Sequence, residues 1–156
     1  MPSDSTVRLD NLIGTWRLVS YTASDDGGAL RYPLGPDADG YLMYTTDGYM
    51  SVHMMRRHRT DYDRPDIQGG TTDQYAEAAA GYLAYAGPFG IDESESVISH
   101  TVDVSLLPNW LGSVQLRRPS RDGNRLTMRA RYVVESVTVD STLVWDRAPE
   151  VDPHSS

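Results

Sequence analysis

Arg125-Leu126-Thr127-Met128-Arg129-Ala130-Arg131-Tyr132-Val133-Val134 decides the fold class. Leu126, Met128, Ala130, Tyr132 and Val134 recur with a period of two, opposite Arg125, Thr127, Arg129 and Arg131. A pleated strand sends alternate side chains to opposite faces, so this stretch reads as a strand with one apolar and one solvated face. A helix of the same length would scatter those apolar positions around its circumference.

Working outward, the same alternation recurs on both sides. In 97–106, Ile98, His100, Val102, Val104 and Leu106 share one face, opposite Ser99, Thr101, Asp103 and Ser105. Further strands are expected at 15–23, 41–46, 49–55, 113–118 and 137–145, with weaker ones at 30–32 and 89–92. Trp16 and Leu18 of the first and Leu143 and Trp145 of the last join the apolar interior. Asp-Gly or Gly-Gly pairs at 26–28, 39–40, 47–48, 69–70 and 122–123 punctuate these runs and supply the positive φ that tight hairpins need.

Two hairpins set the expected registers. A two-residue loop Asp47-Gly48 would place Tyr44 opposite Ser51 and Leu42 opposite His53. One face then carries Leu42, Tyr44, Ser51, His53 and Met55, and the other Tyr41, Met43, Met50, Val52 and Met54. A three-residue loop Asp122-Gly123-Asn124 would pair Leu116 with Ala130 and Val114 with Tyr132, uniting apolar faces and turning Gln115 and Arg117 outward. Arg129, Arg131 and Asp103 are expected on the solvated side.

One segment breaks the β pattern. Residues 72–86 are alanine-rich, follow a threonine cap, and stop before Gly87-Pro88. They read as a helix of about four turns lying over one end or flank of the sheet. The architecture expected is all-β, a closed antiparallel barrel of 8–10 strands with one α-helix, spanning 12–147 between tails at 1–11 and 148–156.

Composition removes several chemistries. The 156 residues carry 14 basic and 22 acidic side chains, a net charge of -8, which repels nucleic acid and anionic membranes. There is no cysteine, and all 14 basic residues are arginine. Thiolate, Schiff-base and Walker-lysine chemistry are therefore excluded within this sequence. No run approaches a membrane span, and Met1-Pro2-Ser3-Asp4-Ser5 has no signal-peptide pattern, so a cytoplasmic location is expected. His-Glu-x-x-His, Gly-x-Ser-x-Gly and phosphate-cradling glycine loops are absent. His53 and His58 with Asp61 and Asp63 could gather around a divalent ion, but a solvated loop is the better reading, and no metal or cofactor is expected.

Gly14-Thr15-Trp16-Arg17-Leu18-Val19-Ser20-Tyr21 resembles the opening strand of lipocalin-like barrels. Residues 44–51, 81–87, 105–112 and the closing Leu143-Val144-Trp145-Asp146-Arg147 are similar to the bacterial lipocalin-like domain family, over about 12–147. The resemblance implies a calycin-type β-barrel. By analogy with small barrels in natural-product pathways, it also implies a polyketide-like intermediate as substrate and a cofactor-independent cyclase or isomerase acting on it. The alternative is a non-catalytic carrier of a small apolar ligand. Either way the partner is a hydrophobic small molecule, and a homodimer is compatible with both.

Candidate site residues follow from the expected faces. His100 is either a general acid or base near neutral pH or a core histidine satisfied by tyrosine or backbone. Tyr44 and His53 join it as candidate catalytic groups. With Ser51, they are either a trio that orients a carbonyl or simply an exposed face. Met55, Tyr82, Tyr85, Trp110, Met128 and Tyr132 complete, with Ser51, the expected ligand wall. Trp16 should close one barrel end under an arginine, Arg147 or Arg117.

Overall fold

The computed structural model describes residues 5–155. A helical turn α1 (Leu9–Leu12) precedes β1 (Gly14–Asp25), β2 (Leu30–Arg31), β3 (Asp39–Tyr44) and β4 (Tyr49–Met55). Helix α2 (Thr72–Ala80) leads into β5 (Tyr82–Asp92), β6 (Val97–Thr101) and β7 (Val104–Ser105). A 3-10 turn (Pro108–Trp110), β8 (Val114–Asp122), β9 (Arg125–Val134) and β10 (Val137–Arg147) complete the chain. The sheet runs β10-β9-β8-β6-β5-β4-β3-β1, and β10 pairs back onto β1. All pairings are antiparallel, giving the expected closed barrel with eight strands around it; β2 and β7 are short additions to β1 and β5.

Both expected hairpin registers are displaced by one residue, in opposite directions. Between β3 and β4 the loop is three residues, Thr46-Asp47-Gly48: the Thr45 N–H donates to the Tyr49 carbonyl at 2.8 Å and the Gly48 N–H to that of Thr45 at 3.2 Å. Gly48 takes φ +96°, the left-handed residue that lets a type I turn rejoin a ladder. Tyr44 therefore pairs with Met50 and Leu42 with Val52, while His53 pairs with Tyr41 and Ser51 with Met43. Between β8 and β9 the loop is two residues: Asp122 pairs with Arg125, and Gly123 at φ +59° takes the first corner. Each slip turns a strand over.

The helix is shorter than expected. Thr71 caps it, accepting from the Gln74 N–H while the Gln74 side chain accepts from the Thr71 N–H, a reciprocal capping box. It ends at Ala80, and residues 82–86 extend instead, because their backbone pairs with β4 from Met55↔Tyr82 onward. No residue of α2 is buried, so it sits on the barrel without sealing it. Strand 97–106 also divides: Val102 and Asp103 leave the ladder and bond to Ser113 and Ala86.

One end of the barrel is shut. Trp16 is 1 % exposed, its indole N–H donates to the Leu12 carbonyl at 3.0 Å, and the Arg147 guanidinium lies 3.8 Å above the ring centroid. Arg147 also donates to the carbonyls of Ile13 and Asn11 at 2.7 and 2.6 Å. This is the expected arginine–indole closure, with Arg147 as the arginine. Gly14 suits this corner because it takes φ +124°, a conformation that residues with a Cβ rarely adopt, and because a Cβ there would crowd the Arg147 guanidinium. Val7 and Leu12 are buried in the same core, so residues 5–11 pack onto the barrel, whereas residues 149–155 are exposed. Among the described residues, no helix is long and apolar enough to cross a membrane.

Candidate functional site

The inward side chains do not fill the barrel. They leave a cavity of about 490 Å³, within the range of small-molecule sites. Leu42, Val52, Met54, Leu83, Met128 and Leu143 supply apolar wall, with Trp145 alongside them. Leu107, Tyr132 and Val134 also line the cavity yet are exposed, which marks the open end opposite Trp16. Into this apolar space project Tyr21, Tyr85, His100, Gln115, Arg117 and Ser141.

His100 organises the polar side. Its Nε2 lies 2.7 Å from the Tyr44 hydroxyl and its Nδ1 2.8 Å from that of Tyr85. Arg117 donates to the Tyr85 oxygen over 3.5 Å. A neutral imidazole has one N–H and one lone pair, so one tyrosine donates to the ring and the other accepts from it. Burial, with the Arg117 charge adding to it, pushes the His100 pKa down to about 3. Burial likewise raises the hydroxyls of Tyr44 and Tyr85. The run is thus neutral at pH 7 and holds the Tyr85 ring, which also meets Trp110 edge-on at 5.3 Å.

This pKa has a thermodynamic consequence. Unfolded, the histidine takes up its proton near pH 6.5; folded, it resists to about pH 3. In that window the unfolded chain binds more protons, so stability falls as the pH falls. Between pH 6.5 and 5, above most carboxylate titrations, His100 should cost roughly 2 kcal/mol. Thermal melts at both values should show this loss in the wild type and little of it in His100→Gln.

A family model for a lipocalin-like domain matches residues 13–148, most of the chain. The chain belongs to that lipocalin-like family. A curated relative of this lipocalin-like barrel is the 4'-hydroxy-3'-methoxypropiophenone carrier protein of Aspergillus oryzae, 28% identical over 110 residues, covering 65% of this chain and 99% of the relative. Among solved structures, the siderocalin Ex-FABP aligns over 92% of this chain and 74% of its own at 10% identity, with a TM-score of 0.34.

The lipocalin-like cavity gathers some of the expected residues and not others. His100, Tyr85, Trp110, Met128 and Tyr132 line it. Tyr44 is buried behind His100 as its hydrogen-bond partner, packed edge-on against Phe89 at 4.8 Å. Ser51, His53 and Met55 lie on the outer face, because the longer 46–48 loop turned β4 over. Tyr82 is also outside: it begins a strand instead of lying on the expected helix, and its hydroxyl meets His53 Nδ1 at 2.9 Å under the Arg59 guanidinium. The Tyr44–Ser51–His53 trio therefore does not form. His53 and His58 do not converge either; among the described residues no three His, Asp or Glu side chains gather.

Gln115 and Arg117, expected to face outward, face inward in the structure. The two-residue loop at Gly123-Asn124 turns Gln115 and Arg117 toward the cavity and leaves Val114 and Leu116 56% and 59% exposed. The signal that could have found them was the Gly123-Asn124 pair, read as a two-residue turn.

Proposed function

We propose that this lipocalin-like barrel binds and carries a small, largely apolar aromatic compound in its interior, without transforming it. The observation that carries the reading is the 490 Å³ cavity, walled by apolar side chains and furnished with a few hydroxyl, amide and imidazole groups. The relative's role as carrier of a propiophenone supports the same class of ligand. His100 favours carriage over chemistry: both ring nitrogens are engaged, and a pKa of about 3 makes it a weak base near neutral pH.

A second reading, a cofactor-independent cyclase or isomerase of a polyketide-like intermediate, draws support from one feature. Tyr85, braced by His100, presents a hydroxyl against the cavity and could polarise a ligand carbonyl. Calorimetric titration with 4'-hydroxy-3'-methoxypropiophenone tests the carrier reading. Binding is expected with a dissociation constant of about 10 µM or tighter. The compound should be recovered chemically unchanged after prolonged incubation. Absence of binding at millimolar ligand would overturn the proposal, and recovery of an altered compound would favour the enzyme.

A further inference from the structure

We infer that the ligand carries an acidic oxygen group, bound as its anion by Arg117 inside the cavity; this rests on the carrier reading above. What sets Arg117 apart is its place on the cavity wall, where no carboxylate of the described residues accompanies it. Arg17, Arg31, Arg57, Arg64, Arg125 and Arg131 each pair with an aspartate within 4 Å. Arg147 spends its guanidinium on an indole face and two backbone carbonyls. Arg117 has neither kind of arrangement. Among the described residues its contacts are the carbonyl of its own neighbour Leu116, at 2.8 Å, and the long bond to the Tyr85 hydroxyl.

The surroundings sharpen the point. Among the described residues no aspartate or glutamate lines the cavity, and Arg117 is its one cation, His100 being neutral. A guanidinium has more N–H donors than these two contacts use, and its planar fork suits a carboxylate or phenolate. Leaving such a charge half-buried against apolar wall is costly unless a partner arrives. A ligand anion is that partner. Gln115, two residues along the same strand and also in the wall, adds an amide whose N–H already reaches the Ser113 hydroxyl at 3.0 Å and whose oxygen is left to orient a second ligand group. The net charge of -8 repels anions from the outside of the protein, so the preference has to originate within the cavity.

Two probes with one apolar skeleton separate charge from shape: 8-anilinonaphthalene-1-sulfonate, an anion, and N-phenyl-1-naphthylamine, its neutral counterpart. Fluorescence titration gives the ratio of their dissociation constants. Arg117→Gln should shift that ratio against the anion by tenfold or more, a loss of about 1.4 kcal/mol. Arg117→Lys, which keeps the charge, should retain most of the preference. Near-ultraviolet circular dichroism confirms that each variant is folded. A ratio indifferent to Arg117→Gln, or lost equally in Arg117→Lys, overturns this inference while leaving the carrier reading standing. Failure of both probes to bind the wild type overturns both.

Discussion

Trp16→Ala is expected to lower the free energy of unfolding by about 3–5 kcal/mol, the scale for emptying a large aromatic site in a core that cannot collapse around it. Three contributions converge at this residue. The ring is buried between β1 and the seam with β10, so its loss leaves a void at the shut end of the barrel. The Arg147 guanidinium loses the indole face it covers, and a desolvated cation over tryptophan is worth on the order of 2 kcal/mol. The Leu12 carbonyl also loses its donor. For a domain of this size the melting temperature should drop by roughly 6–20 °C. Urea unfolding followed by circular dichroism measures it; a change below about 1 kcal/mol would mean the end of the barrel is not held this way.

How much of this could be read from residues alone differs from strand to strand, and for physical reasons. β9 was legible because, from Arg125 through Tyr132, arginine or threonine alternates with an apolar or aromatic side chain. The Trp16 closure was legible too, because the chain has only three tryptophans and an indole at a barrel end calls for a cationic cover. The 41–55 hairpin was not. Both of its faces are rich in tyrosine and methionine, so hydrophobicity could not choose between registers, and an Asp-Gly pair serves two-residue and three-residue loops alike. One residue of loop length moved His53 and Ser51 outside and left Tyr44 as the partner of His100.

β8 was harder still. Its apolar side chains, Val114 and Leu116, face out, and its polar ones, Gln115 and Arg117, face in. Such a strand violates the binary pattern that normally assigns faces, and violations of that kind concentrate at functional sites. The alanine-rich 72–86 segment misled for a different reason. Helix propensity is a weak prior, and the unpaired edge of β4 offered residues 82–88 a full ladder of backbone bonds.

The second large effect concerns the cavity. Ala130 lies on its wall in β9, between the inward rows of Met128 and Tyr132. Ala130→Trp should push an indole into the space a ligand would occupy. Because the side chain enters open cavity and not packed core, it meets no overpacking penalty, so the variant should fold with a melting temperature near that of the wild type. Its affinity for N-phenyl-1-naphthylamine should fall by about a hundredfold, some 2.7 kcal/mol. Unchanged affinity would show that the probe sits elsewhere.

The most direct measurement uses the three tryptophans the protein already has. Trp110 and Trp145 line the cavity, and Trp16 closes the far end outside it. Their indole N–H groups give three resolvable signals in a ¹H–¹⁵N correlation spectrum. On titration with N-phenyl-1-naphthylamine, the Trp110 and Trp145 signals should move together along one saturating curve while Trp16 stays in place. Movement of Trp16 alone, or of none of the three when the probe is bound, would contradict an interior ligand site.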